Sequence, residues 1–132
     1  ADTQSVNAQV TEVVTVTAPA AIDTWALDPS SATQPQTISG GNVNIKSNSL
    51  QKLTASASNN GLFTDGTNTI ASSPLNIISG ALSGALSGVV DLESSTRRGN
   101  RNVAITYSQS TTYSDPASAG YYITVTFTAA ST

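Results

Sequence analysis

Six carboxylates and one short cationic run carry most of the reactive chemistry that this sequence offers. Paired carboxylates can act as acid and base in glycoside hydrolysis, and the candidates are Asp23, Asp28, Asp65, Asp91, Glu93 and Asp115. Asp28-Pro29, Asp65-Gly66 and Asp115-Pro116 are turn chemistry, in which an Asp side chain bonds its own downstream backbone. Only Asp91 and Glu93 remain close together, and two-residue spacing puts them on one face of a strand. The chain has no His and no Cys, so no third group of that kind exists to orient or tune such a pair. The same two absences remove thiolate–imidazole zinc sites and nucleophiles activated by His. Asp65-Gly66-Thr67-Asn68 lacks the ligand spacing of a calcium loop and reads as a tight hairpin. The expectation is a protein without enzymatic activity, metal or cofactor.

Three of the five cations, Arg97, Arg98 and Arg101, fall around Gly99-Asn100. A solvated loop is the default for such a run. The sharper reading is a patch that meets Asp or Glu of another subunit and helps filaments bundle. Among the aromatic residues, Trp25 lies between Ile22 and Leu27 and suits a core position, while Tyr113 and Tyr122 are better placed to stack on a sugar.

The 132 residues suit one domain, with 38% hydrophobic and only 10% charged residues. Ser (20) and Thr (19) far outnumber the five Lys and Arg and eight Asp and Glu, so the surface is neutral, built of hydroxyls and amides. A net charge of −3 and a pI near 4.4 offer no basic footprint for nucleic acid. No run of 18 apolar residues is present to span a membrane as a helix. N-glycosylation sequons are absent, although this many hydroxyls leave O-linked sugars open. A first residue of Ala1 fits a processed chain whose signal peptide has been removed, as it fits a trimmed one. Secretion to the cell surface is therefore expected.

Strands must position whatever function exists, because the dominant pattern is two-residue alternation rich in β-branched residues. Tyr121, Ile123, Val125, Phe127 and Ala129 share one face, with Thr124, Thr126 and Thr128 on the other. Val103, Ile105 and Tyr107 alternate likewise, and the Ser114-Asp115-Pro116 turn reads as leading into an antiparallel pair with the C-terminal strand. Shorter strands are expected at Ala21–Leu27, at Asn42–Ser47 after Gly40-Gly41, at Leu53–Ser58, at Leu62–Ile70 and at Leu75–Ile78. The Ser-Gly-Ala-Leu repeat over 79–90 carries too many glycines for a stable helix and reads as an extended edge segment. Short strands with dense turn signals predict an all-β, single-domain antiparallel β-sandwich of jelly-roll type.

The N-terminal strand is the most informative. Val6, Ala8, Val10, Val14, Val16 and Ala18 take the even positions over 6–18, interrupted only by Glu12, and Val13 joins the odd positions between threonines. Glu12 marks a candidate bulge or sheet crossing. Twelve steps at about 3.3 Å give roughly 40 Å, about twice an ordinary strand. It is either the first strand of its own sandwich or a donor strand, residues 1–19, that completes the sheet of a neighbouring copy of the 20–132 domain. Such a contact is heterologous and propagates into a filament.

The Val/Thr N-terminal strand, the Cys-free Ser/Thr-rich sandwich and the closing Gly120-Tyr-Tyr-Ile-Thr-Val-Thr-Phe-Thr-Ala together resemble secreted donor-strand filament subunits. They look most like archaeal bundling pilus subunits, which are similar to bacterial TasA-type biofilm-matrix fibre proteins. That resemblance implies that Val6–Ala18 inserts into the next jelly-roll-like domain, with lateral bundling and biofilm cohesion as the outcome. The leading expectation is an extracellular filament subunit whose partners are copies of itself. The alternative is a monomeric carbohydrate-binding β-sandwich module of a secreted surface protein. A surface so thinly defended by charge suits self-association.

Overall fold

The computed structural model describes all 132 residues and is built almost wholly from antiparallel strands. They are β1 (Val14–Thr17), β2 (Gln36–Ala57), β3 (Asn76–Ser79), β4 (Leu82–Ala85), β5 (Val90–Asp91), β6 (Arg97–Gln109) and β7 (Val125–Ala130). No helix is long and apolar enough to cross a membrane.

The long strand β2 organises the rest. Its first half pairs with β1 on one side and β6 on the other, and β6 continues to β3 and β4. The ladder to β6 breaks register between Ser47 and Gln51 and resumes only at Gln51↔Arg97; from Lys52 onward β2 pairs with β5 and β7 instead. One strand thus serves two ladders, and the residues between Asn42 and Ser58 read from sequence as two strands are one. Gly40-Gly41 does not precede the strand but lies within it, at a bulge between Ser39 and Gly41. Gly41 takes a φ of +85° there, and a Cβ on Gly40 would sit 2.7 Å from Ile105 Cγ1, so both positions need the missing side chain.

The inward residues of both ladders form one core. Val43, Ile45, Leu53, Ala55, Ile77, Leu86, Val103 and Ile105 are all buried in it, which follows from the alternation of buried and exposed positions along each strand. The all-β sandwich fold is as the alternation foretells. The Ser-Gly-Ala-Leu repeat forms edge strand β4, hairpin-paired with β3. Beneath it, a left-handed turn at Asn59–Gly61 carries positive φ at all three residues. A Cβ on Gly61 would lie 2.6 Å from the Leu86 carbonyl carbon. Gly61→Ala is therefore expected to cost at least about 1–3 kcal/mol from backbone conformation alone, read as a lowered midpoint in urea unfolding. A midpoint equal to that of the parent contradicts this packing.

Three expected elements are different. Ala21–Leu27 is an irregular strap, not a strand. The segment Leu62–Ile70 contributes only single bridges, from Thr64 to Thr69 and Tyr122, around the Asp65 turn. The Asp115 turn does not lead β7 back to β6; β7 pairs with β2, from Lys52↔Ala130 to Ala57↔Val125. Local alternation gives each strand a buried face but says nothing about which edge it meets.

Candidate functional site: a free arm and an open groove

The expected N-terminal strand is far shorter than its pattern. Only Val14–Thr17 pair, antiparallel to Asn44–Ser47 of β2. Val14 lies opposite buried Ser47, and Val16, opposite buried Ile45, packs against the core. These two residues belong to the chain's own sheet. Asn48 extends the pairing one step beyond β1: its backbone N–H donates to the Val13 carbonyl at 3.2 Å, and its side chain copies a peptide group. Its Oδ1 accepts from Val13 N at 2.8 Å, and its Nδ2 donates to the Thr11 carbonyl at 2.7 Å. Glu12 sits in this stretch, exposed and outside any strand, so it marks neither a bulge nor a crossing.

Residues 1–10 form an arm that lies in no strand and is exposed throughout. Val6 is 81% and Val10 84% exposed, with Ala8 exposed between them. Of the six residues read as a donor strand, Val6, Ala8 and Val10 are free, Val13 is held at the root, and Val14 and Val16 are spoken for. Extended strands are stable only against a partner, and within one chain nothing pairs with the arm.

The same molecule has an unfilled place of matching character. The ladder partners of β7 all lie on β2, so its other edge presents unpaired N–H and C=O groups. Its apolar face is half covered: Val125, Phe127 and Ala129 remain partly exposed, although Leu53 and Ala55 beside them are buried. Alongside β7 runs a groove of about 910 Å³, lined mostly by hydrophobic residues. The strap supplies Ile22, Trp25 and Leu27 to it, and Phe63, Ile70, Leu75 and Tyr107 supply more. Trp25 meets Phe63 edge to face, with ring centroids 6.3 Å apart, and is half buried as part of the groove wall rather than sealed in the core. At one side of the groove the Thr111 hydroxyl is buried without a hydrogen-bond partner. A buried hydroxyl left in this state costs free energy that an incoming polar group would recover.

The arginines divide. The solvated turn expected at Gly99-Asn100 is instead the start of β6. Arg101 donates through Nε to Glu93 Oε2 at 2.7 Å and through Nη2 to Glu93 Oε1 at 2.8 Å and the Gln51 carbonyl at 2.9 Å. Arg97 adds a second ion pair to Glu93 at 3.0 Å, and Glu93 Oε1 accepts from Leu53 N at 2.9 Å. Two of the three residues read as a bundling patch thus bind a buried internal carboxylate at the break in β2. Arg98 alone is exposed without an ion pair, its Nε donating to the Asn48 carbonyl at 3.2 Å. Glu93 is separated from Asp91, which is exposed and bound to Lys52 at 3.0 Å, so the two carboxylates do not converge.

Asp65 closes its turn by accepting from the backbone of Asn68 and of Thr67, and these bonds, with one from Ser118, bring its carboxyl down to about 2. Tyr122 and Tyr113 are exposed as expected, and Tyr122 lies at the groove. Asn48 and Thr111 carry no sequence signal beyond a polar run that interrupts alternation at Ser47-Asn48-Ser49. Comparison with family models, with curated proteins and with solved structures finds no match.

Proposed function

We propose that the protein is a secreted structural subunit, without enzymatic activity, that polymerises by laying its arm into the groove of the next copy. The observation that carries this reading is the coexistence of an unpaired alternating arm and a half-covered edge strand on one chain. Paired along β7, the arm gains ladder hydrogen bonds, directs Val6, Ala8 and Val10 into the apolar groove and leaves Asn7 and Gln9 outward. The arm leaves β1 at the end away from the strap, so donation to a second copy follows the direction in which the chain already runs. Donor and acceptor surfaces differ, and the contact therefore repeats head to tail into a filament. Contact of such filaments with one another, in a biofilm, is the role that this assembly suits.

A second reading, carbohydrate binding, draws on the aromatic side chains Trp25, Phe63, Tyr121 and Tyr122 in the same groove. Negative-stain electron microscopy of the purified protein separates the two. Filaments are expected; isolated particles of single-subunit size under native conditions reject polymerisation and leave the groove to a small ligand.

A further inference from the structure

The unpaired cations of this chain are gathered in one place, and most of its unpaired acids in another. Three ion pairs use Lys52 with Asp91, and Arg97 and Arg101 with Glu93. Two cations remain without a carboxylate partner, Lys46 and Arg98. Both project from the outer face of the first ladder: Ile45 and Ser47 point inward on either side of exposed Lys46, Lys46 lies opposite Asn100, and Arg98 is two residues from Asn100 on the same face. Both also sit at the root of the arm. Lys46 is the β2 partner of Thr15, and Arg98 bonds the carbonyl of Asn48, the residue that holds Thr11 and Val13.

Of the six acids without an ion pair, Asp2 lies on the arm and Glu12 at its root, and the other four gather at the groove. Asp23 and Asp115 line the groove, and no Lys or Arg does. Asp28 lies between Leu27 and Pro29, both in the lining. Asp65 bonds Ser118 of the lining, and the Tyr121 phenol is raised first by desolvation and then by the negative fields of Asp65 and Asp115. The groove these acids border also contains the buried, unpartnered Thr111 hydroxyl, an independent mark of a surface built to receive another group.

Resting on donation of the arm to a second copy, we propose that Lys46 and Arg98 at the arm root of one subunit dock against the acidic lip of the acceptor groove, formed by Asp23, Asp28, Asp65 and Asp115. Once residues 1–10 occupy the groove, the root reaches its mouth, so cation and acid meet outside the donated strand. This contact steers the encounter and selects the head-to-tail orientation, since head-to-head approach sets like charges together.

The test is elongation kinetics of the full chain, followed by light scattering at about 20 mM and 500 mM salt. Wild-type elongation is expected to slow by roughly tenfold at the higher salt. The K46E/R98E double variant should elongate at least about tenfold more slowly than wild type at low salt, and Asp23→Lys, at a position with no hydrogen bond or ion pair to lose, should do likewise. Mixing K46E/R98E subunits with Asp23→Lys subunits should restore growth, which loss of folding in either variant cannot do. Equal rates for wild type and the charge variants at low salt, or elongation indifferent to salt, overturn the docking contact while filaments themselves persist. Absence of filaments from wild type under every condition instead rejects arm donation itself.

Discussion

Removal of residues 1–10 is expected to abolish polymer while leaving a folded domain. Every strand lies outside the deleted segment, and Val6 and Val10 at 81% and 84% exposure contribute nothing to the core of their own chain. The melting temperature of the truncated protein should therefore match that of unassembled full-length protein. The loss falls wholly on association. Burying two valines stabilises the contact by about 1.5 kcal/mol each, so even the full-length V6D/V10D variant should associate at least about a hundredfold more weakly, before the cost of placing carboxylates in an apolar groove is added. Sedimentation velocity at a series of concentrations measures both. Truncating further, through Thr17, removes β1 as well, exposes the outer edge of β2 and is expected to yield aggregation rather than a clean monomer. Filaments formed by the 11–132 chain, indistinguishable from those of the full chain, would show that the arm is not the polymerising element.

Replacing Glu93 with Ala should unfold the domain more readily than any exposed charge change. Glu93 is 7% exposed and joins Arg101, itself 11% exposed, to Arg97 and the Leu53 amide. Loss of the carboxylate leaves a nearly buried guanidinium without its partner, at a cost of about 3–5 kcal/mol. By contrast, Asp91→Ala removes a pair whose carboxylate is 53% exposed and should cost at most about 1 kcal/mol. Burial pushes the Glu93 carboxyl upward, but the hydrogen bonds from Arg101, Leu53 N and Arg97 and the Arg101 charge together outweigh it and hold the group below the ordinary 4.5. A depressed folded-state value means that its stabilisation is complete above pH 4.5 and is lost as pH falls through the folded value. Thermal melts should show a gap between wild type and Glu93→Ala that is constant from neutral pH down to about 5 and narrows only in more acidic solution. A gap that closes already near pH 6, or a loss no larger than that of Asp91→Ala, contradicts this account.

The two experiments probe different levels of one arrangement. Glu93 and its arginines clamp β2 where it passes from one ladder to the other, through the Leu53 amide and the Gln51 carbonyl. That passage places the second half of β2 against β7, and hence the free edge of β7 beside the groove. A destabilised clamp should therefore weaken assembly as well as folding, whereas the arm variants leave folding untouched.

Much of this was legible in the residues themselves. Alternation of Val, Ile and Thr, with a 39-residue complement of hydroxyls on a chain of few charges, determines an all-β fold with neutral outward faces, because side chains on a strand alternate whatever their partner. It also marks Val6, Ala8 and Val10 as apolar positions on one face of an extended segment. Pairing is another matter. Which edge each strand meets depends on contacts between residues far apart in sequence, and no local periodicity encodes them. Only the tertiary structure shows that β2 is one strand and that β7 joins it instead of β6. It also binds two of three clustered arginines to an internal carboxylate, and ends the N-terminal segment's own backbone pairing at Val13, with the side chain of Asn48 as its last rung. The groove belongs wholly to that level, since it exists where β7 and the strap come together without a strand between them.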